Sequence, residues 1–301
     1  MNTMEHLKAV ADYLPAPIRQ SILKLPESVQ KRMQEIRLRA GKPVCLTLDG
    51  RTVLLAADGA LTHSQAAALL PSEEMLAHSF QAVMSYSVHS HQQDIAEGFV
   101  TIRGGSRVGI CGTAVREGEQ VRSVRQISAL NFRIAGEFPG CAAAVFRQTG
   151  QTGGILIAGA PGTGKTTFLR DLCRLLGEKS RTALVDERGE VAAVFRSVPQ
   201  HDVGLMTDVL DGYPRAQGIL TALRVLTPEH IVCDELTRPE DVEAVLSAAG
   251  CGVQMTASVH AGSFAELQSR SLMQPLWERS VFRYCVMLSG VGQVQSVRRL
   301  T

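Results

Sequence analysis

The feature of this sequence that most restricts its fold is the glycine-rich segment GAPGTGKTT at residues 159–167. It fits the phosphate-loop pattern G-x-x-x-x-G-K-[ST], in which glycines let the backbone wrap closely around a phosphate. The apolar segment ILIA precedes it and the helical segment TFLRDLCRLL follows it, as the motif requires. The segment therefore predicts a phosphate-binding loop between a buried strand and the N-terminus of a helix.

The loop pattern assigns a role to each of its residues. Lys165 is expected to reach the β- and γ-phosphates of a nucleotide, and the hydroxyl of Thr166 to bind Mg²⁺. The other predicted nucleotide-binding residues are Gly159, Pro161, Gly162, Thr163, Gly164 and Thr167. A Rossmann dinucleotide loop is excluded, because Lys165 and Thr166 occur in place of the third glycine inside the helix. We therefore predict a P-loop nucleotide-binding protein with ATP and Mg²⁺ as cofactors.

The periodicity of the apolar residues predicts two domains. From Ile155 onward, short apolar segments alternate with helical ones, which is typical of a mainly parallel sheet covered on both faces. Before Glu137, helical spacing gives way to alternating segments with glycine-rich turns, which is typical of an antiparallel sheet. We expect a smaller α+β domain over residues 1–137 and an α/β, RecA-like P-loop ATPase domain over residues 138–301.

The composition excludes several classes of protein. The 301 residues are 45% hydrophobic and 20% charged, which describes a globular chain. Neither a run of eighteen apolar residues nor a signal peptide is present, so we expect a cytoplasmic protein. The formal net charge of +2 gives no strong field for a general nucleic-acid coat.

Two strand ends supply carboxylates for a metal ion and an attacking water. The segment LVDERGE contains Asp186, Glu187 and Glu190, and IVCDE ends in Asp234 and Glu235 in the usual Walker B form. Asp234 is the natural Mg²⁺ ligand, with Glu235 as a second metal ligand or a catalytic carboxylate. Because adjacent residues of a strand face opposite ways, we expect only one of this pair to point directly at the metal.

His260 ends the apolar segment VQMTASV. A residue at the carboxyl end of a strand in an open α/β sheet faces the ligand crevice. We therefore interpret His260 as a hydrogen-bond donor that senses the γ-phosphate rather than as a histidine that merely caps a loop.

A cluster of arginines lies in the N-terminal domain. Its members are Arg103, Arg107, Arg116, Arg122, Arg125 and Arg133. Three interpretations stay open: a solvated surface, a nucleic-acid face, or arginines offered to a nucleotide across a subunit boundary. Aromatic residues are sparse in this segment, which weakens the stacking expected for single-stranded nucleic acid. The third interpretation requires an oligomer, and its candidates are Arg107, Arg125 and Arg133.

The order of these motifs resembles that of a known family. The segments GAPGTGKTT, VDERGE, IVCDEL and TASVH are similar to the Walker A, Asp box, Walker B and His box of secretion ATPases of the type II and type IV pilus class. The segments EIRLRAGKPV, GGSRVGICGTAV, ISALNFRIA, TDVLDGYPRAQGI and CDELTRPEDVEAV resemble the stage III sporulation protein AA family more closely still. Together they cover most of residues 35–262.

The resemblance implies a cytoplasmic, homo-hexameric ATPase at the mother-cell side of the channel that links mother cell and forespore during endospore formation. Its partners would be inner-membrane proteins of that channel, with no specific nucleic acid. ATP would bind between subunits, and arginines of the N-terminal domain would complete a neighbour's site. The catalytic glutamate of the family's Asp box falls on Glu187 or Glu190, and the Walker B glutamate on Glu235.

The leading hypothesis is an ATPase motor in which Glu190 polarises the attacking water, with Glu187 next and Glu235 as a further candidate. His260 would report the γ-phosphate state to the rest of the ring. Asp186, nearest the buried strand, is expected to be structural or to act on Mg²⁺ through another ligand. Two alternatives stay open: a RecA-like nucleic-acid motor, and an assembly switch in which ATP binding matters but turnover does not.

Overall fold

A computed structural model describes residues 3–84, 98–118, 120–150 and 152–301. The chain divides into two compact units, Met1–Glu137 and Phe138–Thr301. Within the described ranges, no helix combines the length and the apolar character needed to cross a lipid bilayer.

The first unit is built on a seven-stranded antiparallel sheet. The strand order is β4-β3-β2-β1-β7-β6-β5. The strands are β1 (Met33–Arg39), β2 (Lys42–Leu48), β3 (Arg51–Leu55), β4 (Leu61–Thr62), β5 (Phe99–Thr101), β6 (Arg107–Glu117) and β7 (Gln120–Arg133). The described helices are α1 (Thr3–Ala11), α2 (Ala16–Lys24), α3 (Glu27–Gln30) and α4 (Glu73–Val83), with a 3₁₀ turn at Gln65–Ala67.

Alternation along the strands places the core of the first unit on one face of this sheet. In β1, Ile36 and Leu38 are fully buried while Arg37 between them is exposed. Phe132 of β7 pairs with Ile36 and is also fully buried. Apolar residues of α1 and α2, including Leu7, join the same cluster, so these helices cover the apolar face.

The second unit is built on a mainly parallel sheet of order β10-β9-β11-β12-β8-β13-β14, in which only β13 and β14 pair antiparallel. The strands are β8 (Gly154–Gly159), β9 (Thr182–Asp186), β10 (Thr207–Asp211), β11 (His230–Cys233), β12 (Gln254–His260), β13 (Phe282–Gly290) and β14 (Gln293–Arg299). The helices are α5 (Ala143–Thr149), α6 (Lys165–Gly177), α7 (Arg215–Val225), α8 (Pro239–Gly250), α9 (Phe264–Ser269) and α10 (Gln274–Glu278), with a 3₁₀ turn at Ser271–Met273.

The central strands of this sheet are buried on both faces. Every residue of β8, β9 and β11 is buried. Successive residues of β8 alternate between two apolar clusters: Leu156 joins the one that contains residues of α7 and α8, and Ile157 joins the one that contains residues of α5 and α6. Helices thus cover both faces, and the predicted α/β fold class is confirmed.

The parallel strands bring their carboxyl ends to one edge of the sheet. β8 ends at Gly159, β9 at Asp186, β11 at Cys233 and β12 at His260. His260 lies directly opposite Gly159 in the pairing of β12 with β8. The phosphate loop, both acidic segments and the histidine therefore meet at this edge, although they are far apart in sequence.

The burial of Phe168 predicts a measurable contribution to stability. This α6 residue is fully buried in the cluster between α6 and the sheet. We predict that Phe168→Ala lowers the free energy of unfolding of the second unit by about 3–5 kcal/mol in urea denaturation, because it leaves a cavity. Phe138→Ala is the matched control, since that ring is 54% exposed. Equal losses at the two positions would contradict the packing described.

Candidate functional site

The phosphate loop requires glycine where its backbone turns. Gly164 has a φ of +81°, in the left-handed region that favours glycine. A Cβ on Gly164 would lie 2.9 Å from the Cα of Val291, and one on Gly159 would collide with the hydroxyl of Thr163. The predicted nucleotide-binding residues all lie in this loop or in the first turn of α6: Gly159, Pro161, Gly162, Thr163, Gly164, Lys165, Thr166 and Thr167.

Lys165 is only 5% exposed. Its ammonium group donates to the carbonyl oxygen of Ala160, with an Nζ···O distance of 3.0 Å, and contacts Nδ1 of His260 at 2.8 Å. Burial lowers the pKa of Lys165, and the carboxylates of Glu235 and Asp234 oppose that effect. Lys165 is thus a buried cation whose hydrogen-bond partners in this structure are a carbonyl oxygen and a histidine.

His260 links Lys165 to Glu235. Its Nε2 lies 2.6 Å from Oε1 of Glu235. Because a protonated lysine can only donate, Nδ1 of His260 accepts from Lys165, and Nε2 carries the proton that is donated to Glu235. The structure thus joins three of the predicted site residues in one hydrogen-bonded chain.

Asp234 lies between two hydroxyl groups. The hydroxyl of Thr166 donates to its Oδ2 at 3.4 Å, and that of Ser258 to its Oδ1 at 2.5 Å. Burial raises the pKa of Asp234, the hydrogen bond from Ser258 opposes this, and the charges of Glu235 and Glu190 raise the pKa further. A hydroxyl beside a carboxylate presents the hard oxygen ligands that Mg²⁺ takes, so this donor set fits the predicted metal site.

Glu235 has a φ of +33°, a conformation that residues other than glycine rarely adopt. Its N–H donates to Oδ1 of Asp234 and to Oγ of Ser258, both at 3.0 Å, and these bonds hold the turn. Since β11 ends at Cys233, strand alternation does not reach Asp234 and Glu235. Alternation therefore does not decide how this pair is oriented, and the expectation that only one of the two points directly at the metal stays a prediction. Strained backbone of this kind is concentrated at active sites.

The acidic loop, residues 186–192, is folded around Asp186. This side chain is 1% exposed, and its carboxylate accepts the N–H groups of Glu190 at 2.9 Å, Val191 at 3.0 Å and Ala192 at 2.8 Å. Burial raises the pKa of Asp186 to about 6, although the three backbone hydrogen bonds oppose the rise. Asp186 is therefore a structural carboxylate that fixes the position of Glu190.

The two glutamates of the acidic loop have different surroundings. Oε2 of Glu187 lies 2.9 Å from Nη2 of the buried Arg215, and its Oε1 lies 3.6 Å from Nη1 of Arg238. Glu190 is partly buried, and its negative charge raises the pKa of Asp234. The structure thus ties Glu187 to two arginines, whereas Glu190 influences the predicted metal ligand Asp234 through its charge.

Three residues at the site had no role assigned from sequence: Arg188, Arg215 and Ser258. Nη1 of Arg188 lies 3.2 Å from Oε2 of Glu235. Ser258 precedes His260 by two positions on β12, and residues at this spacing lie on the same face of a strand. The sequence could therefore have predicted that Ser258 lies near the site. No pattern in the sequence marks Arg215 as buried.

The three predicted trans arginines lie on β6 and β7 of the first unit. Arg107 and Arg133 are directly opposite each other in the strand pairing. Oε1 of Glu35 lies 3.8 Å from Nε of Arg133. Arg125 lies farther along β7, roughly 25 Å from Arg133 at the rise of an extended strand. Arg107 and Arg133 can therefore reach one common ligand, whereas Arg125 cannot join them.

A phosphate loop between β8 and α6, with acids and a histidine at the neighbouring strand ends, defines a P-loop protein of the RecA-like α/β class. The chain belongs to the family described as Sporulation stage III, protein AA, whose sequence model matches residues 4–300. It is 35% identical over 302 residues to stage III sporulation protein AA of Bacillus subtilis (strain 168), an alignment that covers 97% of this chain and 94% of that protein.

Two solved structures have a similar fold. The ATPase DotB of Legionella pneumophila superposes with a TM-score of 0.58 at 18% identity, covering 91% of this chain and 76% of that one. The pilus retraction motor PilT with bound ADP superposes with a TM-score of 0.61 at 18% identity, covering 90% and 76%. The predicted family is confirmed, and the two ATPase structures show that the fold is shared.

The raised pKa of Asp186 predicts a pH dependence of stability. The pKa of this carboxyl group is about 6 in the folded protein and 3.8 in the unfolded chain. At pH values between the two, the folded protein therefore binds more protons than the unfolded chain. Its contribution to stability is therefore full below the lower value and is lost as the pH rises through the higher one. We predict that the unfolding free energy of the wild type minus that of Asp186→Asn falls by roughly 3 kcal/mol between about pH 4 and pH 7. A urea-denaturation series in which this difference is constant or rises would contradict the assignment.

Proposed function

We propose that this chain hydrolyses ATP in a Mg²⁺-dependent reaction that drives a secretion-type motor during endospore formation. The observation that carries the proposal is the hydrogen-bonded chain from Lys165 through His260 to Glu235, beside the contact of Thr166 with Asp234. A phosphate loop alone suits many phosphate ligands. A loop with a hydroxyl–carboxylate pair and a second carboxylate near its lysine has the donors that nucleoside triphosphate hydrolysis needs.

The loop residues have the chemistry to hold a triphosphate and its metal. The N–H groups at the start of α6 would donate to phosphate oxygens, and the helix dipole would add favourable charge. Lys165 would exchange its contact with the carbonyl oxygen of Ala160 for a phosphate oxygen. Thr166 and Asp234 would hold Mg²⁺, which neutralises charge on the phosphates when bound.

We assign the orientation of the attacking water to Glu235. Its carboxylate is joined through His260 to Lys165, and the hydrogen bonds of its N–H group hold the turn in which it lies. A carboxylate at this place accepts a proton from water as the oxygen attacks the γ-phosphate. Glu190, which the sequence ranked first, is the alternative because its charge acts on Asp234. Glu187 is less suited, because its Oε2 is held by the buried Arg215, whereas the arginine that pairs with Glu235 is Arg188, whose side chain is 60% exposed.

His260 would report the nucleotide state. When Lys165 turns to a phosphate, Nδ1 of His260 loses the donor that it has in this structure. The histidine can then rotate, and a rotation alters its hydrogen bond to Glu235. Nucleotide binding would thus be transmitted to the carboxylate that orients water.

We propose a homo-hexamer in which Arg107 and Arg133 reach the nucleotide of a neighbouring subunit. Inner-membrane proteins of the channel between mother cell and forespore would be its partners, at the cytoplasmic, mother-cell face. Membership of the sporulation family and the fold shared with the ATPase DotB support this assignment. A nucleic-acid motor is less favoured, because the formal net charge of the chain is only +2 and Arg122 has an acidic partner in Glu117.

The catalytic carboxylate can be identified by glutamine substitution. We predict that Glu235→Gln lowers kcat by about 10²–10⁴-fold in a phosphate-release assay, because water loses its general base. Binding of a non-hydrolysable ATP analogue, measured by calorimetry, should be retained. Glu190→Gln should lower kcat less, and Glu243→Gln, at an exposed position of α8, should leave it unchanged.

Lys165→Ala is the decisive control for the ATPase itself. Both analogue binding and hydrolysis should be lost, since no other side chain of the phosphate loop supplies a positive charge. Hydrolysis at the parent rate would contradict the proposed function. A larger loss of kcat in Glu190→Gln than in Glu235→Gln would transfer the role of base to Glu190.

Subunit mixing tests the trans arginines. Arg133→Ala and Lys165→Ala subunits should each be inactive alone. A one-to-one mixture should recover roughly a quarter of the parent rate, because random assembly leaves that share of interfaces with both residues intact. Arg116→Ala, which alters an exposed arginine of β6, should stay active without mixing. A mixture that stays inactive would show that Arg133 does not act on a neighbour.

A further inference from the structure

Arg215 is a buried arginine that the proposed reaction does not use. It begins α7, and its side chain is 4% exposed. Nη2 lies 2.9 Å from Oε2 of Glu187, and Nη1 lies 3.0 Å from Oδ2 of Asp241. A planar guanidinium that binds two carboxylates fixes their positions relative to each other.

The two carboxylates belong to different acid-bearing segments. Glu187 lies in the acidic loop after β9. Asp241 ends the segment that follows β11, residues 234–241, and is 1% exposed. Its Oδ2 also accepts the N–H groups of Thr237 at 3.2 Å and Arg238 at 3.1 Å. Arg215 therefore joins the acidic loop to the segment that begins with the Walker B acids.

Stability is a weak explanation for this buried cluster. Removing one arginine and two carboxylates from water costs free energy that their mutual attraction often fails to recover, and apolar replacements of such clusters are often neutral or stabilising. Arg215 also leaves its buried Nε without a hydrogen-bond partner among the described residues. The two ion pairs thus set the orientation of the guanidinium, and in that orientation its Nε–H donates no hydrogen bond to the described residues.

We propose that Arg215 is a positioning residue for hydrolysis, which fixes the two acid-bearing segments relative to each other. The inference rests on the ATPase proposed above. Holding Glu187 and Asp241 together sets the distance between the segments, and with it the 3.2 Å contact between Arg188 and Glu235. Arg215 touches neither the phosphate loop nor the metal-binding pair, so it acts on turnover and not on nucleotide binding.

The first test replaces the planar guanidinium of Arg215, which binds two carboxylates at once, but keeps its positive charge. Arg215→Lys should lower kcat by about 10–100-fold, because a misplacement of about 1 Å at a catalytic group has an effect of that size. The dissociation constant for a non-hydrolysable ATP analogue should change by less than about twofold. Arg224→Lys, which alters an exposed arginine of the same helix, is the matched control and should keep the parent kcat.

Glu187→Gln removes the other end of the ion pair and keeps the contact of Arg215 with Asp241. It should lower kcat as much as Arg215→Lys does, and it replaces Arg215→Lys in the test if the Arg215→Lys variant does not fold.

The second test separates positioning from general weakening of the fold. In a Glu235→Gln background, adding Arg215→Lys should reduce kcat by less than about twofold further, because the carboxylate that Arg215 positions no longer acts as a base. A purely structural role would give losses that multiply.

The outcomes distinguish this proposal from the function on which it rests. A wild-type protein with no Lys165-dependent hydrolysis would overturn both. With an active wild type, three results would overturn the positioning role alone: an unchanged kcat in Arg215→Lys, multiplicative losses in the double variant, or a dissociation constant that rises in proportion to the loss of kcat.

Discussion

Burial of the central parallel strands on both faces is the constraint on which the rest of the second unit depends. Helices cover both sides of β8, β9 and β11, so no residue of these strands is available to a ligand within the sheet. Polar side chains can act only where each strand ends, and parallel strands end at the same edge. The phosphate loop, both acidic segments and His260 are therefore gathered by the topology.

At that edge, the acids and cations are arranged so that each lies beside a partner. Asp186 is surrounded by backbone N–H groups, Asp234 by two hydroxyls, and Glu235 by His260 and Arg188. Such arrangements of partly desolvated charge contribute little to stability, because desolvation opposes the attraction between partners. Of these acids, Glu235 is joined to Lys165 through His260, and clusters of desolvated charge of this kind are concentrated at functional sites.

Two sequence-based interpretations show the limits of reasoning from neighbouring residues in the sequence. The alternation rule was applied to Asp234 and Glu235, but it holds only within a strand, and β11 ends at Cys233, before this pair. The ranking of Glu187 as a candidate base could not take account of Arg215, since a single arginine gives no sign of its burial. The phosphate loop consists of neighbouring residues, and it is the part of the site that the sequence predicted in most detail.

By itself, the sequence determined the fold class, because glycine spacing and apolar periodicity are properties of short segments that fold in only a few ways. The family followed from the resemblance of several segments to those of its members. Tertiary structure alone decided which carboxylate meets which cation. Glu187 meets Arg215, and Glu235 meets His260 and Arg188. These contacts join segments far apart in the chain, and they depend on the order of strands in the sheet and on where each strand stops.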